Sequence, residues 1–220
     1  MKHDPTVFVI DDDDAVRDAL KLSLSSAGYR VVCYANGENF LNGYNQEIPG
    51  CLLLDLCMPG MDGLAVQQEL LQRHINLPII FMTAYGSIRD SVSAVKAGAL
   101  DFLEKPVSAA VLIERIRQAL ELDAQQRALQ NGKADIRARY ARLSPREREI
   151  MAFIAEGKSS KQVAQLLGIS PRTVDAHRAR LMVKMRASSL AELGSLCAQC
   201  GSTPPLSSSA SSSPFGDALS

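Results

Sequence analysis

The sequence predicts an α/β doubly wound five-stranded parallel sheet followed by a small all-α four-helix domain. Two observations carry this expectation. Through residues 1–122, short apolar β-branched runs alternate with segments of helical spacing, the texture of a parallel sheet covered on both faces. From Ser144 the strand-like runs stop, and four helix-start signals follow in close succession.

The strand candidates are Val7–Ile10, Arg30–Tyr34, Cys51–Leu54, Ile79–Met82 and Asp101–Leu103. The first helix candidate, Ala15–Ala27, puts Val16, Leu20, Leu24 and Ala27 on one face. Further helices are expected near 37–44, 64–73, 87–97 and 108–122. A linker over 123–142 follows, helical in spacing across Leu120–Gln130. Asn131-Gly132 is expected to break it, with a short helix over Lys133–Arg142. In the second domain, 143–200, Ser144-Pro145-Arg146-Glu147 is a capping box with proline at the first helical position. Ser159-Ser160-Lys161-Gln162 is another capping box, Ser170-Pro171 opens a third helix and Ser189 a fourth. The Ser/Pro-rich tail, 201–220, is expected to be disordered.

No apolar run approaches the roughly 18 residues that cross a bilayer, so no membrane contact is expected. Met1-Lys2-His3-Asp4-Pro5 has no apolar core of a secretory signal, and the chain reads as cytoplasmic. The net charge of zero conceals a division: residues 1–122 carry 10 basic against 16 acidic side chains, and residues 123–220 carry 14 against 8. A basic second half suits a polyanionic partner. Of five cysteines, Cys33, Cys51 and Cys57 lie in apolar strand-like surroundings. Cys197 and Cys200 form a lone C-x-x-C with no second ligand pair nearby, so a helix end is expected there rather than zinc.

The acidic residues carry the chemistry. The first strand runs into Asp11-Asp12-Asp13-Asp14 and the third ends at Asp55, while the fourth ends at Thr83 and the fifth leads to Lys105. In a parallel sheet these termini share one edge, where ligands bind. Close carboxylates repel unless a cation joins them, and hard oxygen donors suit Mg²⁺. Asp55 would be the nucleophile forming an aspartyl phosphate, with Thr83 and Lys105 on the phosphoryl oxygens. Asp13 or Asp14 is expected to cap the first helix.

The stretches VFVIDDDDAVRDAL, LLLDLCMPGMDG, IIFMTA and FLEKP resemble the receiver domain of two-component response regulators, across about residues 5–122. The resemblance implies a flavodoxin-like receiver fold. Asp11 and Asp12 would hold Mg²⁺ together with Asp55 and the backbone carbonyl of Cys57. It also implies a cis Lys105-Pro106 bond and a switch in which Phe102 turns inward as Thr83 moves. Cys57 and Tyr85 stand at two positions that vary within the family, and neither readily positions an attacking water. A long-lived phosphoryl group is therefore expected.

In the basic half, Ser159–Leu167, a turn at Gly168-Ile169 and the helix after Ser170 have helix-turn-helix form. Ala164 is small where the two helices would cross, and Gly168 suits a turn with positive φ. On a helical wheel Val174, Leu181 and Met185 form the core face, opposite Arg172, Ala176, Ala179 and Val183, with Thr173, Asp175 and Arg180 beside them. His177 falls near the core edge and reads as packing. Lys158, Lys161, Arg178 and Lys184 are placed for phosphate contacts. LSPREREIMAFIAEGKSSKQVAQLLGISPRTVDAHRARLMVKM resembles the LuxR-type helix-turn-helix domain, across about 143–200. With the receiver, the chain is similar to response regulators of the FixJ/NarL group, nearer FixJ. Some relatives carry lysines where this chain has Asp175 and Ala179, so their base contacts do not transfer. In that family the last helix can pair two subunits; Leu190, Leu193 and Cys197 form its stripe here, or else belong to the domain core.

The resemblance implies a non-enzymatic transcription regulator. Its expected partners are a sensor histidine kinase, promoter DNA, RNA polymerase and, on phosphorylation, a second copy of the chain. An enzymatic alternative starts from Asp11 and Asp13, a D-x-D after the first strand as in haloacid-dehalogenase-like phosphatases. That reading leaves Asp55 without a role and lacks the further acids such an enzyme needs. A third alternative retains DNA binding but makes it independent of phosphate.

Overall fold

The computed structural model describes residues 4–84 and 99–200. The helix expected over 87–97, Tyr85 and the tail 201–220 lie outside these residues. Contacts divide the chain into two units, Met1–Leu129 and Gln130–Ser220.

In the first unit, β1 (Thr6–Ile10), β2 (Arg30–Tyr34), β3 (Gly50–Asp55), β4 (Ile79–Thr83) and β5 (Asp101–Glu104) form one sheet of order β2-β1-β3-β4-β5. Every pairing is parallel. Strand periodicity sorts the apolar residues onto two faces. Phe8, Ile10, Leu52, Leu54 and Phe81 point to one side, where Phe40 of α2 (Gly37–Gly43) and Val66 and Leu70 of α3 (Gly63–Gln72) cover them. Val7, Val9, Cys51, Leu53, Ile80 and Met82 point to the other. Leu24 of α1 (Asp14–Ser26) and Leu112, Ile116 and Ala119 of α4 (Ala109–Ala141) cover that face. Each fully buried aliphatic side chain contributes about 1.5–3 kcal/mol relative to exposure.

Helix α4 differs from expectation. It runs unbroken through Asn131-Gly132 to Ala141. One glycine in a helix interior costs only about 1 kcal/mol relative to alanine. The good helix formers on both sides allow propagation to continue across it. Within the first unit a polar clamp anchors this helix. Asp123, 2% exposed, accepts the Gly50 N–H at 2.9 Å and pairs with Arg127. Arg127 in turn donates to the carbonyls of Gln46 at 2.7 Å and Ile48 at 3.1 Å.

The second unit packs α5 (Pro145–Ala155), α6 (Ser160–Leu167), α7 (Pro171–Met185) and α8 (Leu190–Gln199) around Leu143, Ile150, Met151, Val163, Val174 and Leu181. The start signals act as expected: Ser144 and Ser159 form capping boxes with Glu147 and Gln162. Ser170 and Ser189 accept from the third residue of their helices. Leu193 and Cys197 are core residues here, at 0% and 1% exposure, while Leu190 is exposed. Two of the three residues of the last-helix stripe are thus spent inside the domain.

Candidate functional site

The parallel register brings the ends of β1, β3, β4 and β5 to one edge. Asp11 is fully buried. Its Oδ1 accepts the Asp13 N–H at 3.0 Å, and Arg17 donates to its carbonyl at 2.6 Å. Asp13 caps α1 by accepting the Ala15 N–H at 2.8 Å, so the second acid of the D-x-D pair serves the helix. Arg17 also pairs with Asp14. Its place one helical turn after the acids was the available sequence signal for this brace.

Asp55 is 8% exposed. Its Oδ1 accepts the Cys57 N–H at 3.3 Å, and its Oδ2 accepts from Lys105 Nζ at 2.9 Å. The same Nζ donates to Asp11 Oδ2 at 2.6 Å. Burial works against the Lys105 charge, but the hydrogen bonds and charges of Asp11 and Asp55 outweigh it and raise its pKa. One oxygen each from Asp11, Asp12 and Asp55 can lie within 4.8 Å of one another. Three carboxylates converging on one point, one of them exposed, form a hard-oxygen donor set that fits a small divalent cation.

Thr83 is buried, with its Oγ1 4.0 Å from Cys57 Sγ. Cys57 is exposed and lies beyond the end of β3, not in a strand; the change of direction after Asp55 carries it out of the sheet. Gly63 explains that turn: a Cβ there would stand 2.5 Å from the Asp55 carbonyl oxygen, so only glycine lets α3 start against the loop. The Lys105-Pro106 bond is cis. Phe102 is half-buried, its ring 6.3 Å from that of Phe81. The sequence thus placed Asp11, Asp12, Asp55, Cys57, Thr83 and Lys105 together, and the structure brings them together, with Phe102 on the neighbouring strand.

The second candidate surface is α7. Gly168 ends α6 at φ 63°, and its N–H and that of Ile169 return to the Ala164 carbonyl. Arg172, Thr173, Asp175, Ala176, Ala179, Arg180, Val183 and Lys184 are exposed, opposite buried Val174, Leu181 and Met185. His177 is half-buried at the core edge. Several expected contact residues are bonded within the unit. Ser160 Oγ donates to Asp175 Oδ1 at 2.6 Å, and Arg178 donates to Ser160 Oγ and to the Lys158 carbonyl, each at 2.8 Å. Lys158 pairs with Glu156 and lies over the Phe153 ring at 5.1 Å. Lys184 meets Glu147 at 2.8 Å. Glu147 is 4% exposed; burial opposes its charge, but the bonds from Lys184 and Ser144 prevail and lower its pKa. Arg172, Arg180 and Lys161 keep unbonded side chains among the described residues. No helix among the described residues is long and apolar enough to cross a membrane.

Comparison with known proteins assigns a family to each part of the chain. Residues 7–117 match the response regulator receiver domain, and residues 141–196 match the luxR family of bacterial regulatory proteins. The chain is 40% identical to the transcriptional regulatory protein FixJ of Azorhizobium caulinodans, over 90% of this chain and 94% of that protein. It is 41% identical to the response regulator protein TmoT of Ectopseudomonas mendocina, over 85% of each. Among solved structures it is similar to the response regulator StyR, with a TM-score of 0.82 at 39% identity, covering 89% of this chain and 98% of that one. The chain therefore belongs to the response regulators, with a receiver domain followed by a luxR-family DNA-binding domain.

Proposed function

We propose that this chain is a cytoplasmic transcription regulator in which Asp55 accepts a phosphoryl group from a sensor histidine kinase and thereby gates DNA binding. The supporting observation is the single Lys105 ammonium held at 2.6 Å from Asp11 and 2.9 Å from Asp55. It fixes the Asp55 carboxylate at the strand end and stands ready to meet a phosphoryl oxygen. The Asp55 carboxylate attacks the phosphorus of a phosphohistidine; a P–O bond forms, the P–N bond breaks, and the leaving imidazole takes a proton. Asp11, Asp12, Asp55 and the Cys57 carbonyl would hold Mg²⁺, which when bound supplies positive charge against the phosphoryl oxygens. The Thr83 hydroxyl and Lys105 then bond those oxygens. As Thr83 moves toward the new group it vacates space, and Phe102 turns inward from its half-buried place. The altered face pairs two receivers, and two weak half-site contacts reinforce each other through effective concentration.

In this reading residues 1–122 are the receiver, 123–142 the helical linker and 143–200 the DNA-binding domain. Helix α7 enters the major groove, where Arg172, Thr173, Ala176, Ala179 and Arg180 face the bases and Lys158 and Lys161 approach phosphates. Asp175, Arg178 and Lys184 border this surface and act by holding α7 in place. The further partners are promoter DNA, RNA polymerase and a second phosphorylated copy.

Acetyl phosphate with Mg²⁺ tests the acceptor. Intact-mass measurement should show one added phosphoryl group on the wild type and none on Asp55→Asn. Equal labelling of both proteins would place the acceptor elsewhere.

A further inference from the structure

The outward face of α7 joins three small apolar side chains to two arginines. At 100° per residue, Arg172, Ala176, Ala179 and Val183 fall within a sector of about 60° and extend over about 16 Å, close to five base-pair steps. All four are exposed, Val183 at 78%. Three polar side chains near this stripe are committed elsewhere. Asp175 is held by Ser160, Arg178 by Ser160 and the Lys158 carbonyl, and Lys184 by Glu147. Arg172 and Arg180 on this face combine a base-reading fork with freedom from intradomain bonds among the described residues.

We infer that Ala176, Ala179 and Val183 select thymine C5-methyl groups in each DNA half-site, while Arg172 and Arg180 take guanines beside them. This rests on the DNA-binding reading given above. The major-groove edges of guanine, adenine and cytosine present only hydrogen-bonding groups, and thymine adds the one methyl. An alanine or valine pressed against a donor or acceptor leaves it unpaired and unhydrated, an unfavourable contact. Against a methyl the same side chains bury apolar area. The two alanines also let the helix backbone come close enough for such contact. A guanidinium matches guanine O6 and N7 in bidentate fashion.

The test uses the full-length chain, with and without acetyl phosphate and Mg²⁺, to select binding sites from a random pool of DNA duplexes. Thymines in the selected site are then replaced singly by uracil, which removes only the methyl. The expected result is a site containing thymines at which each contacted methyl lost weakens binding about four-fold, the value of one buried methyl-sized group. Val183→Ala, a change at an exposed position, should make one thymine insensitive to this replacement. If a sequence is selected but uracil at every position leaves affinity unchanged, the methyl-reading inference is overturned and DNA binding stands. If no sequence is enriched in either state, both fall together.

Discussion

Lys105 Nζ donates to Asp55 Oδ2 at 2.9 Å while its backbone N–H bonds the Thr83 carbonyl at 2.8 Å. One residue thus ties the acceptor on β3 to the hydroxyl-bearing end of β4. Because Asp11 shares the same ammonium, removing it leaves two near-buried carboxylates facing each other.

Lys105→Met should therefore lose phosphorylation and also unfold more easily without Mg²⁺, by about 1–3 kcal/mol, less than a fully buried pair because the lysine is partly solvated. Its folded pKa is raised. The stabilisation is complete below the unfolded lysine value of about 10.4 and disappears as pH rises through the higher folded value. Denaturant unfolding between neutral and strongly alkaline pH should show this loss in the wild type and not in the variant.

Glu147 gives the opposite sign. Its folded pKa is lowered, so its contribution is present above the unfolded glutamate value of about 4.3 and lost as pH falls through the folded one. Glu147→Gln should flatten that acid-side loss in the second unit and cost about 1–2 kcal/mol at neutral pH, from the weakened cap and the lost Lys184 pair. Urea unfolding followed over acidic pH checks both parts.

Gly168 sits at φ 63°, and a Cβ added there would meet nothing within 4 Å, so its constraint is conformational and not steric crowding. Gly168→Ala should destabilise by about 1 kcal/mol and weaken DNA binding by shifting α7 against α6. Equal stability of the two proteins in urea would contradict this.

Cys57 stands beside Asp55, with its thiol 4.0 Å from Thr83 Oγ1, and offers no carboxylate or amide to orient water. The phosphorylated protein, freed of donor, should keep its phosphoryl group far longer than seconds. Phosphate-affinity electrophoresis over time measures it, and decay within seconds would contradict the expectation.

What the sequence made legible was what depends on order along the chain. The acids after Ile10, Asp55 after Leu54, and Lys105 after the fifth run identify one edge once the strands are parallel. The capping serines and Gly168 are equally local. Three features were not legible because they depend on packing or on cooperativity. The helix continues through Gly132 because its neighbours offset one unfavourable residue. Asp175 and Arg178 are engaged because Ser160 on the preceding helix, and for Arg178 the Lys158 carbonyl before it, lie within reach. Leu193 and Cys197 differ from Leu190 in burial, although all three share one apolar stripe in the sequence.

The most direct test of the switch is DNA binding and dimerisation by wild type and Asp55→Ala, each with and without Mg²⁺ and acetyl phosphate. The account predicts that the phosphodonor strengthens both in the wild type and changes neither in the variant. Equal binding by both proteins under all conditions would contradict it and leave a DNA-binding protein that is not gated through Asp55.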